Sequence, residues 1–145
     1  MKTLKTIVLS LILVLVVSCD KKPSKETLEF NSTFNEVMAV HDEVMPKMNE
    51  MGKLSAELKA KIDTTAVGKT YQKALDSLGN AHKYMMKWME DFSNKFPYSD
   101  DRLKGKSTEE ILSAIEELKK EKTKVDAVRN ALNGSINNAK TVLAN

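Results

Sequence analysis

"ILSAIEELKKEKTKVDAVRNAL", residues 111–132, decides the fold. Ile111, Leu118, Val125 and Leu132 recur every seven residues, and Ala139 continues the series. Ala114, Ile115, Val128, Ile136, Val142 and Leu143 widen the seam. An apolar repeat of this period, set between charged faces, belongs to a helix that packs along one side. "STEE", residues 107–110, stands just ahead of it, with a serine to cap the first turn and a glutamate to reach back. The spacing predicts a helix from about residue 108 to Leu143, weakened near its end by "NGSINN", residues 133–138. The lysines of "KKEKTK", residues 119–124, alternate with Glu116, Glu117 and Glu121 and read as a solvated face with local ion pairs.

Two further apolar-periodic runs precede this one. The first goes from about Glu26 to Ile62, with Phe34, Val37, Met38, His41, Val44, Met45 and Met48 on one stripe. Pro46 lies well off that stripe, so it predicts a solvent-facing kink and not a stop. "DTTAVG", residues 63–68, is the turn, with Asp63 or Thr64 as cap. The second run goes from about Lys69 to Phe96, with Tyr71, Leu75, Leu78, His82, Met85, Met86, Met89 and Phe96 on its stripe. Pro97 ends it, because the residue before a proline avoids helical angles. No segment alternates with period two. The expected fold is all-α: an antiparallel three-helix bundle with long helices, the first kinked at Pro46. The regular repeat of the last helix also suits a hairpin that closes into a larger bundle as a homodimer.

The ends of the chain speak to address. Lys2 and Lys5 precede "IVLSLILVLVV", residues 7–17, an apolar run too short to cross a bilayer comfortably. "VVSC" follows and resembles the lipobox of bacterial lipoproteins, with the chain's single cysteine, Cys19, where the pattern requires it. The resemblance implies a signal peptide over residues 1–18, cleavage before Cys19 and lipidation of its thiol. Residues 19–27 then form the lipidated cysteine and a polar, proline-containing tether, and residues 28–145 the bundle domain. Two or more acyl chains make a stable anchor. The expected place is the cell envelope, lipid-anchored and facing the periplasm. A lipidated Cys19 leaves no thiol for a disulfide, a nucleophile or a metal ligand.

The whole chain carries 23 Lys+Arg and 20 Asp+Glu, net +3. Without Lys2 and Lys5, 21 basic residues face 20 acidic ones, for a net charge of +1. That balance argues against a nucleic-acid partner. No glycine-rich phosphate loop, nucleophile elbow or H-E-x-x-H is present. His41 and Asp42 are neighbours in sequence and point about 100° apart on a helix, wrong for a proton relay. The chain therefore reads as no enzyme.

"HDEVMPKMNEM", residues 41–51, and "HKYMMKWM", residues 82–89, hold both histidines and, with Met38, every methionine except the first. In a hairpin turning near residue 65, His41 falls level with Trp88, and His82 with Met48. His41 and His82 with Met38, Met45, Met48, Met85, Met86 and Met89 then form one band between the first two helices. Met51 and Trp88 flank the band, each turned from the centre of its stripe. Thioether sulfur with imidazole and no thiolate suits Cu(I), whereas Zn(II) would want more imidazole or carboxylate. The same residues also serve as ordinary core, since methionine fills irregular gaps beside aromatic rings. A haem would need a cleared volume that these filled stripes lack, and no C-x-x-C-H motif is present.

The lipobox, "MAVHDEVMPKM" and "WMEDF" together resemble a group of small, largely helical lipoproteins of Bacteroidota. That resemblance implies the fold and the address and carries no activity or residue role. The resulting expectation is a non-enzymatic envelope lipoprotein with two readings: soft-metal binding by the His/Met band, or a helical scaffold that binds a protein partner and uses the band only as core.

Overall fold

The computed structural model describes residues 22–99 and 101–144. The proposed signal peptide and Cys19 lie outside the described residues. Four helices follow one another: α1 (Lys25–Val44), α2 (Lys47–Lys59), α3 (Ala66–Lys95) and α4 (Thr108–Ala144). No strand occurs among the described residues, and no helix among them is long and apolar enough to cross a membrane. α1 and α2 are two halves of one bent rod, so the architecture is an all-α antiparallel three-helix bundle.

Helix α1 starts inside the stretch read as tether. Ser24 is its N-cap, its side chain accepting from the Thr27 backbone N–H at 3.1 Å. The bend falls where the proline predicts it. Pro46 has no N–H to give to the preceding turn, and the ladder resumes through a tight bond from Met48 N to Met45 O, 3.1 Å. Met45 and Pro46 both keep right-handed helical angles, so the chain is deflected without unwinding.

The α2–α3 turn is capped later than the sequence suggests. Thr65 is the cap: its hydroxyl accepts from Gly68 N at 3.0 Å and donates to Asp63 Oδ1, which also takes the Thr65 N–H at 2.9 Å. Those bonds hold the Asp63 carboxyl below its ordinary range, the Thr65 hydroxyl first. Glycine is required at 68, because a Cβ there would lie 2.5 Å from Asp63 N and 2.6 Å from Asp63 O. The capping box of α4 forms as expected: Ser107 N donates to Glu110 Oε2 at 2.7 Å, and Glu110 N donates to Ser107 Oγ at 3.2 Å. α4 then runs unbroken for 37 residues, through the "NGSINN" segment expected to weaken it. Ser135, buried within that segment, satisfies its hydroxyl on Leu132 O at 2.9 Å.

The packing face of α3 is rotated from the expected one. Ala74, Leu78, Ala81, Met85, Trp88 and Phe92 are buried, a strict alternation of four and three residues. Leu75, His82 and Met89, each one position further on, lie at the edge or outside it. The alanines let α4 approach closely, which a larger side chain there would prevent. On the other rod, Val40 belongs to the buried face of α1 with Val37 and Val44. Beyond the bend Met51 is in the core and Met48 only borders it, because the bend at Pro46 changes the phase of the stripe. The heptad series of α4 is buried throughout, from Ile111 to Ala139.

Side-chain pairs set the directions. Phe34 meets Phe92 at 5.7 Å between ring centroids and Phe30 meets Phe96 at 6.3 Å, so α1 and α3 run antiparallel. Their backbones stay apart, and the rings fill the gap. α4 runs parallel to the α1–α2 rod. Glu29, Glu36, Glu43 and Glu50, seven residues apart, pair with Lys119, Lys122, Arg129 and Lys140 respectively. Exposed pairs of this kind contribute about 0–1 kcal/mol each, so the ladder sets register more than stability. The lysine-rich stretch is therefore not only a self-paired face, since Lys119 and Lys122 both cross to α1.

Candidate functional site

Phe30, Phe34, Phe92, Phe96 and Trp88 form one aromatic run between α1 and α3, ending at His41. Trp88 stacks on Phe92 at 5.1 Å, and the His41 ring lies 6.2 Å from Trp88. His41 is level with Trp88, the register expected of the hairpin. The Trp88 ring is in the core, not turned away from it, because α3 packs on the rotated face.

Beneath Trp88 lies the most polar feature of the interior. Glu121 is 0% exposed, at a position read from the sequence as part of a solvated face. The 3–4 spacing between Leu118 and Val125 requires an inward side chain there, and Glu121 is the one that turns in. Its Oε2 accepts from Trp88 Nε1 at 3.1 Å, and its Oε1 accepts from Lys95 Nζ at 2.8 Å and Lys124 Nζ at 2.9 Å. Burial pushes the carboxyl up, but the hydrogen bonds and charges of Lys95 and Lys124 outweigh it and hold Glu121 below the ordinary glutamate range. Lys95 is raised in return, chiefly by its bond to Glu121. Glu121 is thus a charged carboxylate that pins α3 to α4.

The His/Met residues do not meet at one point. Met85 is 0% exposed, inside the core, whereas its neighbour Met86 is 51% exposed and Met45 38% exposed. Met38, Met48 and Met89 pack against the edge of the core. His82 is exposed. His41 is half-buried, and its Nδ1 lies 2.9 Å from Asp42 Oδ1. A carboxylate can only accept, so that nitrogen carries the proton. Adjacent helical positions can therefore bond where the side chains lean together, although Asp42 is exposed. Three soft donors do share a surface: His82, Met48 and Met51 line one shallow depression of about 290 Å³ between α2 and α3. His82 is level with Met48 there, again in the expected register. Among the described residues no three His, Cys, Asp or Glu side chains are grouped to hold a metal ion.

No family model, curated protein or solved structure matches this chain. Residue chemistry alone therefore has to carry any function.

Three features escaped the sequence reading. Glu121 was legible in principle, since its heptad position could be filled only by a charged residue, Glu121 or Lys122. The glutamates at 29, 36, 43 and 50 carry a visible seven-residue spacing, but their partners on α4 depend on the tertiary register. Arg102, in the α3–α4 loop, gave no signal, because what it touches is decided by how that loop folds back.

Proposed function

We propose that this chain is a non-enzymatic, lipid-anchored helical scaffold of the cell envelope, held on the periplasmic side by acyl chains on Cys19 and binding a protein partner along its length. One observation carries the reading. The first helix is capped at Ser24, five positions after Cys19, so the tether reaches at most about 18 Å. α4 is 37 residues long, or roughly 55 Å at 1.5 Å per residue. An anchored bundle of these proportions is a short post rooted near the bilayer. A core continuous from Phe30 to Ala139 makes it rigid.

The test is metabolic labelling of the full chain with radioactive palmitate in a bacterial host. The wild type is expected to take up label and to sediment with membranes. Cys19→Ser is expected to lose the label and, because cleavage depends on the same cysteine, to keep its leader uncleaved. A wild-type chain that takes up no label, or a Cys19→Ser chain that is labelled as strongly, would overturn the anchor.

A second reading concerns soft metal, narrowed by the depression that His82, Met48 and Met51 share. An imidazole and two thioethers make a neutral donor set of the kind Cu(I) accepts. Met38, Met45, Met85, Met86, Met89 and His41 take no part in it. The full chain, reduced and titrated against a colorimetric Cu(I) chelator, is expected to withdraw one equivalent of copper. His82→Gln should abolish that uptake and His41→Gln should leave it intact. Failure of the wild type to compete would remove copper and leave the scaffold reading untouched.

A further inference from the structure

We propose that the end of the bundle formed by the start of α1, the end of α3 and the start of α4 is an oxyanion site for a phosphate group, with Arg102 and Lys106 as its cationic ligands. The loop joining α3 to α4 is built to hold these two residues. Lys104 N bonds to Asp101 O at 2.9 Å and Lys106 N to Leu103 O at 3.2 Å, so the loop is two successive turns. Gly105, the only residue with positive φ among the described residues (φ 77°), lets it turn back into the capping box of α4.

This fold lays the Arg102 guanidinium over the Phe34 ring, 4.1 Å from Cζ to the centroid, with Tyr98 at 5.8 Å. Arg102 Nη1 is shielded from water and has no hydrogen-bond acceptor among the described residues. It is the only buried side-chain nitrogen or oxygen among them left in that state. Such a donor is costly unless something accepts from it. Beside it is a cavity of about 240 Å³, walled by Phe30, Phe96 and Pro97 and lined by Arg102, Lys106 and Lys95.

Charge points the same way. Lys95 is committed to Glu121 and Glu117. Glu110 and Glu117, which line the adjoining surface, are committed to Ser107 and to Lys120 and Lys95. Neither Arg102 nor Lys106 forms an ion pair among the described residues. The cavity is therefore lined, next to apolar walls, by Arg102 and by Lys106, an exposed cation whose charge also acts on the Glu110 carboxylate. A planar guanidinium that lines the cavity, with an ammonium beside it, matches the oxygens of a phosphate group.

Two sources could supply that group: free phosphate, or the headgroup of an anionic phospholipid, since this end of the bundle is the one where α1 begins. The site itself does not depend on the lipid anchor. The experiment titrates the full chain, in a nonionic detergent, with inorganic phosphate and separately with dihexanoyl phosphatidylglycerol below its micelle concentration. Binding is followed by phosphorus NMR. Saturable binding of either probe is expected, weakened at least about tenfold by Arg102→Gln and several-fold by Lys106→Gln. Binding of the lipid alone identifies the headgroup source; binding of inorganic phosphate identifies the free ion. Absence of saturable binding by both probes overturns the site. Because Arg102 also packs on Phe34, Arg102→Gln could fail to fold, but Lys106 is exposed. Undiminished binding in Lys106→Gln would therefore overturn the proposal by itself.

Discussion

Replacing Trp88 with alanine is expected to cost about 3–5 kcal/mol of folding stability, a large share of what a domain of this size possesses. The indole is buried, stacks on Phe92 at 5.1 Å, supports His41 at 6.2 Å and gives its N–H to Glu121 at 3.1 Å. Truncation opens a cavity on the wide side of the bundle, where rings and not backbones fill the space, so collapse cannot easily close it. It also removes one of the donors that hold a buried carboxylate. Trp88→Phe separates the two effects: it keeps most of the packing and loses only the donor, for about 1 kcal/mol. Urea unfolding followed by circular dichroism measures both. A loss below about 1 kcal/mol for Trp88→Ala would mean that the aromatic run is not structural.

The second large effect is expected at Glu121. Glu121→Ala leaves the Trp88 N–H buried without an acceptor and adds a cavity, for about 2–3 kcal/mol together. Glu121→Gln keeps an acceptor for Trp88 and should cost less. The sign of the pH dependence follows from the direction of the shift. The folded carboxyl titrates below the ordinary value of 4.5, so its contribution is complete above that pH and is lost as pH falls through the carboxylate range beneath it. Acid unfolding of Glu121→Gln should therefore be shallower over that window than that of the wild type. Equal slopes would show that Lys95 and Lys124 do not hold the charged form. Lys95→Met adds a check, since it removes one of those two cations and leaves the Trp88 bond in place.

The overall architecture was legible in the sequence because it rests on local signals. The heptad series from Ile111 to Ala139, the Ser107–Glu110 box and the deflection at Pro46 each act within a turn or two of the chain. The phase of α3 was not legible. Ala74 and Leu75, Ala81 and His82, and Trp88 and Met89 are adjacent pairs, and the stripe read from the sequence takes the wrong member of all three. Alanine scores weakly as an apolar residue, yet its small size decides which face can meet α4. The same rotation dissolves the His/Met band as one site, sending Met86 and His82 outward and Met85 inward. After Pro46 the phase slips again, so that Met51 and not Met48 enters the core. The charge ladder and the Arg102 cavity depend on which helices become neighbours, and that is settled only when the bundle closes.

The parallel alliance of α1 with α4 has a kinetic corollary. Its partners, such as Glu36 and Lys122 or Glu43 and Arg129, are 86 residues apart along the chain. Contacts of such high order form late, after the entropy of closing a long loop has been overcome. A nascent chain that has released only its first three helices lacks the strut on which all of them lean. The bundle can therefore close only once the last quarter of the chain, which carries α4, is available to pack.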